Sequence, residues 1–109
     1  MGLNIIAYEV EDCGESEFGG RDLKTVRFEG FDSLRHTGDR ELIFTEEIEW
    51  DMIDEDENNL WSRKYFRPKD IGKALEWVER NVPEGNKGRL RGLFNEMKLN
   101  HKLYVYLSY

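Results

Sequence analysis

The sequence predicts an α+β domain: a mainly antiparallel sheet of about five strands, with two helices between the fourth and last strands. Three observations lead there. Short strand-like segments separated by turns dominate up to residue 66, apolar residues recur with a helical period between residues 71 and 97, and residues 103–107 form a further strand-like run. Strands grouped first and helices grouped later favour α+β over a parallel α/β sheet. The chain has 109 residues, 39% hydrophobic and 13% aromatic, which suits one domain with one packed core. No internal repeat or linker divides it.

Residues 3–10 are apolar on both alternating faces, with Leu3, Ile5 and Ala7 on one and Ile6, Tyr8 and Val10 on the other. A central strand covered on both sides reads this way. Residues 11–22 mix acids with Gly14, Gly19 and Gly20 and predict a polar loop. Residues 25–28 read as a short strand, and residues 31–36 as one or two helical turns ended by Gly38. In residues 42–52, Phe44, Ile48, Trp50 and Met52 share one face, while Thr45, Glu47, Glu49 and Asp51 share the other. That is a half-buried strand with an acidic outer face, and residues 60–66 read as its hairpin partner after a turn at residues 54–59.

Pro68 sits where a helix would begin, and Ile71, Ala74, Leu75 and Val78 follow at the spacing of one helical face. Pro83, Glu84 and Gly85 end it, and a second helix from about Asn86 aligns Leu90, Leu93, Phe94 and Met97. Residues 103–107 close the chain as a strand that could lie beside the first.

Charge is unevenly placed. Glu46, Glu47, Glu49, Asp51, Asp54, Glu55, Asp56 and Glu57 crowd one short segment and exceed the net charge of the whole chain, −7, so the remainder is close to neutral. Lys87, Arg89, Arg91, Lys98 and Lys102 face only Glu96 across the end of the second helix. A plain reading is that these are solvated faces, since exposed ion pairs contribute little. The functional reading is that the acidic hairpin, through Glu47, Glu49, Asp51, Asp54 and Asp56, engages a basic surface on another protein or on a second copy of the chain. Direct nucleic-acid binding is disfavoured, because phosphate affinity rests on Lys and Arg.

Other chemistry is mostly excluded by spacing. Asp54, Asp56 and Asn58 open like a calcium-binding EF-hand loop, but Asn59 stands where glycine is needed and Tyr65 where glutamate is needed. Gly14 and Gly19 have phosphate-loop spacing, but Gly20 and Arg21 occupy the lysine and hydroxyl positions. Cys13, His36 and His101 do not supply a zinc set, so no metal and no cofactor is expected. No nucleophile, base and stabiliser can be assembled, which favours binding over catalysis. Trp50, Trp61, Tyr104 and Tyr106 sit at alternating strand positions and read mainly as core. Cys13 is the only cysteine, so no intramolecular disulfide forms and a reducing, cytoplasmic setting is expected. No apolar run approaches the ~20 residues of a membrane span, and the start lacks the basic residues of a signal peptide.

Residues 3–8 (LNIIAY) and 28–35 (FEGFDSLR) resemble segments of a group of small uncharacterised phage and prophage proteins, over roughly the first third of the chain. Here Phe28 and Gly30 stand one residue closer than in that group, and its second tyrosine is missing. The resemblance implies an origin in a mobile element and brings no catalytic residues. If the chain has a pocket for an anionic metabolite or nucleotide, Tyr8, Arg27, Ser33 and Arg35 are its expected lining, and an oligomer interface is one place for it. Otherwise Tyr8 packs, Ser33 caps a short helix and both arginines lie on the surface.

Overall fold

A computed structural model describes residues 4–15, 17, 20–31, 34–35, 45–56 and 62–108. Its elements run β1 (Asn4–Glu15), β2 (Arg21–Arg27), β3 (Leu34–Arg35), β4 (Trp50–Asp54), β5 (Lys64–Pro68), α1 (Ile71–Asn81), α2 (Glu84–Leu99) and β6 (Leu103–Ser108). The sheet is antiparallel, ordered β2-β1-β6-β5-β4, with β3 paired to the start of β1 beyond the end of β2. The predicted α+β class holds. The closing strand does lie beside the first, through Ile5 opposite Leu107 and Ala7 opposite Val105.

Both helices pack on one face of this sheet. Alternate residues Ile5 and Ala7 of β1, and Leu103, Val105 and Leu107 of β6, meet Ala74, Trp77 and Val78 of α1 and Leu90, Leu93, Phe94 and Met97 of α2. The stripe expected on the second helix is buried throughout. Asp70 starts α1 as its N-cap, its carboxylate accepting from the Lys73 amide at 3.2 Å, so the helix begins just after Pro68 rather than on it.

The opposite face is not left flat and wet. In a flat five-stranded sheet the outermost strands stand about 19 Å apart. Here the Arg21 amide at the start of β2 donates to the Glu55 carbonyl just past β4 at 2.8 Å, so the sheet curls and the tips of its two hairpins touch. Gly20 permits this approach: its φ is +74°, and a Cβ there would fall 2.7 Å from the Glu55 oxygen. Inside the curl lie Val10 and Tyr65, the latter only 1% exposed, with the Tyr8 and Tyr106 rings 6.0 and 5.6 Å from that of Tyr65. Burial pushes the Tyr104 hydroxyl's pKa up; Arg67 pulls it back, while Asp51 from β4 and Asp12 from β1 add to the rise.

Several local expectations change. β1 runs to Glu15, so most of the polar loop expected over residues 11–22 is strand; its outer part carries exposed side chains on both faces and therefore lacks the apolar alternation that marks a strand. Leu34 and Arg35 pair with Ile5 and Asn4 as β3 instead of forming helical turns, because the start of β1 offers open backbone groups on that edge. Among the described residues of the expected strand over 42–52, strand begins at Trp50, with residues 46–48 in a turn that buries Ile48. Residues 42–44 and Gly38 lie outside the described residues, as do Leu60 and Trp61 of the expected partner strand. The hairpin itself is present, shifted toward the C-terminus.

Candidate protein-interaction site

The acidic segment divides into an outer and an inner part. Glu46 and Glu47 sit in the turn before β4, and Glu49 and Asp51 follow; all four are exposed. Of Glu47, Glu49 and Asp51, only Asp51 meets a cation among the described residues, Lys69 at 4.0 Å, with both side chains more than half exposed. At that distance and exposure the pair neutralises little.

Asp54 belongs to the inner part. It accepts from the Ser62 hydroxyl and, at 3.1 Å, from the Asp56 amide, and Lys64 stands 3.6 Å away. Burial alone would raise its carboxyl pKa, yet these partners together hold it below the usual aspartate value. Asp54 is thus a ligand of its own hairpin turn. Asp56 is half-buried against the Gly20 approach and Glu55 is exposed just past β4, so the acidic surface presented outward is carried by Glu46, Glu47, Glu49 and Asp51, with Glu55 beyond the end of the strand.

Beside these acids stands an apolar side chain. Met52, in the middle of β4, is 51% exposed, although its neighbour Trp50 packs on the core with its ring 6.5 Å from that of Phe94. β4 is the last strand in the sheet order, and among the described residues nothing pairs with its outer edge between Trp50 and Ile53.

The basic segment is more self-contained. Lys87 is bound to Glu84 at 2.9 Å, Arg91 to Glu79 at 2.6 Å, and Lys102 lies 3.9 Å from Glu11. Arg89 and Lys98 make no ion pair among the described residues. Among the described residues no salt bridge joins the acidic segment to the basic one: Asp51 and Asp54 pair with Lys69 and Lys64, and Lys87, Arg91 and Lys102 with Glu84, Glu79 and Glu11.

Of the four residues expected to line an anion pocket, two come together. Tyr8 and Arg27 are directly opposite on β1 and β2. The Tyr8 ring is engaged edge-on by Tyr65 and Tyr106, while Arg27 is exposed. Arg35 pairs with Asn4, about 13 Å along β1 from Tyr8. Ser33 lies outside the described residues. Cys13 is exposed at the irregularity in the β1–β2 pairing, and no group of three or more potential metal-ligating side chains occurs among the described residues.

A groove of about 290 Å³ lies between the segment after β2 and the outer side of α2, lined by Phe28, Phe31, Leu93, Arg89 and the backbone at Gly88 and Gly92. A Cβ at Gly88 or Gly92 would meet nothing within 4 Å. Both glycines thus weaken α2 without enabling a close contact among the described residues. Gly88→Ala and Gly92→Ala should each raise stability by about 0.5–1 kcal/mol in urea titration; a loss of stability would mean the space is used by this chain.

Comparison with protein-family models, curated proteins and solved structures finds no match to this chain. Among the described residues, no helix is long and apolar enough to cross a membrane.

Proposed function

We propose that the protein is a small interaction module that binds a positively charged protein surface through Glu47, Glu49 and Asp51. The observation that carries this reading is the separation within the acidic segment. Asp54 is consumed by its own turn, whereas the carboxylates from Glu46 to Asp51 stay exposed in one run beside an exposed methionine. Carboxylates needed only for folding would be expected to resemble Asp54.

Like charges crowded on a short segment raise the free energy of the isolated protein, and a cationic partner relieves that repulsion. Charges of this kind mainly speed association and select the partner, while apolar contact at Met52 slows dissociation. An origin in a phage or prophage and work in a cytoplasm remain part of the proposal, supported by the resemblance of residues 3–8 and 28–35 and by the single cysteine.

Capture experiments with the immobilised protein test this. A partner recovered at low salt should be lost by about 0.5 M salt, where screening shortens to a few ångströms, and should be absent from the triple variant Glu47→Lys, Glu49→Lys, Asp51→Lys. Retention by the folded triple variant would remove the electrostatic reading.

A further inference from the structure

The backbone register at the acidic edge gives the form of the partner. Lys69 donates to the Glu49 carbonyl at 3.0 Å, and Glu55 donates to the Arg63 carbonyl at 3.0 Å, just outside the paired ends of β4 and β5. Residues 49 and 55 are therefore hydrogen-bonded positions of this ladder, and alternation makes 51 and 53 hydrogen-bonded positions too. The backbone amides and carbonyls of Trp50 and Met52 consequently point away from β5, toward the outer edge. Among the described residues nothing receives them.

The pleat sorts the side chains along the same edge. Trp50 and Met52 lie on the helix-bearing face, where Met52 is half exposed. Glu49 and Asp51, two residues apart, lie together on the opposite face, and both are exposed. A strand laid beside β4 would thus set alternate residues against methionine on one face and against carboxylates on the other.

We infer that β4 recognises an extended segment in which basic and apolar residues alternate, added to the sheet as a further antiparallel or parallel strand. This rests on the proposed acidic interaction surface and specifies its partner. The main-chain bonds to Trp50 and Met52 hold the segment, apolar side chains cover Met52, and lysine or arginine side chains meet Glu49 and Asp51. This is strand addition, in which the edge supplies affinity and the alternating positions supply specificity.

The test uses two capped hexapeptides of alternating Lys and Val, one unmodified and one N-methylated at every backbone amide. Both carry the same charge and side chains, but only the first can donate to a strand edge. The unmodified peptide should bind and slow hydrogen exchange of the Trp50 and Met52 amides at least tenfold, and the methylated peptide should bind at least tenfold more weakly. Equal binding of the two would overturn strand addition and leave the acidic surface standing. Binding of the unmodified peptide that resists salt and the triple charge reversal would instead overturn the electrostatic reading and leave strand addition standing. Failure of the unmodified peptide to bind, or binding without protection of those two amides, would overturn strand addition.

Discussion

Phe94→Ala should lower the stability of the protein by about 3–5 kcal/mol, the largest loss expected from any single truncation in this core. Phe94 is 0% exposed on the apolar face of α2, with its ring 6.5 Å from that of Trp50 on the edge strand and in one core with Ala74, Trp77 and Val78 of α1. Removing its ring takes away the transfer free energy of a buried aromatic side chain. It also leaves a cavity that a sheet held at several points cannot collapse to fill. Domains of this size are stable by about 5–15 kcal/mol, so the variant should be partly unfolded at modest urea concentrations. Leu99 provides the control, because it belongs to the same helix but is 83% exposed. Leu99→Ala should change the stability measured by urea titration by no more than about 0.5 kcal/mol. Equal effects at the two positions would contradict the placement of α2.

Arg67→Met should cost about 2–4 kcal/mol, although residue 67 is not in the apolar core and makes no ion pair among the described residues. The Arg67 guanidinium donates to the carbonyls of Met97 at 2.6 Å, Asn100 at 3.0 Å and Leu103 at 2.9 Å. One side chain on β5 thereby fixes the end of α2, the turn that follows it and the start of β6. Helix ends leave carbonyls without partners in the helix, and the negative end of the helix dipole favours a cation there. Methionine keeps much of the volume but leaves part-buried acceptors without a donor. Arg67→Lys should recover less than half of the loss, since a single ammonium lacks the planar fork that reaches several carbonyls at once. Urea denaturation should show the midpoint falling with an unchanged slope. Full recovery by lysine would mean that charge near the helix end, rather than the three directed bonds, supplies the stability.

Arg67 also illustrates which parts of the fold were legible in the sequence. Its three acceptors lie 30 to 36 residues away in the chain, and no local pattern announces such a link. The helices were legible because Leu90, Leu93, Phe94 and Met97 repeat with the helical period, and burial of that stripe follows from the repeat alone. The start of β1 was legible for a similar reason, with apolar residues on both faces. Its outer half was not: residues 11–13 and 15 are exposed, and cross-strand hydrogen bonding rather than side-chain burial makes them a strand. β3 is set by the open edge beside Asn4 and Ile5, which only the assembled sheet reveals.

The acidic site was partly legible. Its charge could be counted, but exposure could not, and the inward turn of Asp54 depends on Ser62 and Lys64 across the hairpin. The outward-facing backbone of Trp50 and Met52 was hidden as well, because it follows from the ladder register at Glu49 and Glu55. The Tyr8 and Arg27 pairing came from the β1–β2 register in the same way.

The exposed carboxylates from Glu47 to Asp51 are proposed to form a surface for a cationic partner. Stopped-flow association of the unmodified Lys-Val hexapeptide, measured against ionic strength for the native protein and for the triple lysine variant, tests it most directly. The native association rate should fall at least tenfold between 0.02 and 0.5 M salt, the dissociation rate should change much less, and the variant should associate little at any salt concentration. An association rate independent of salt, and equal for the two proteins, would contradict the proposal.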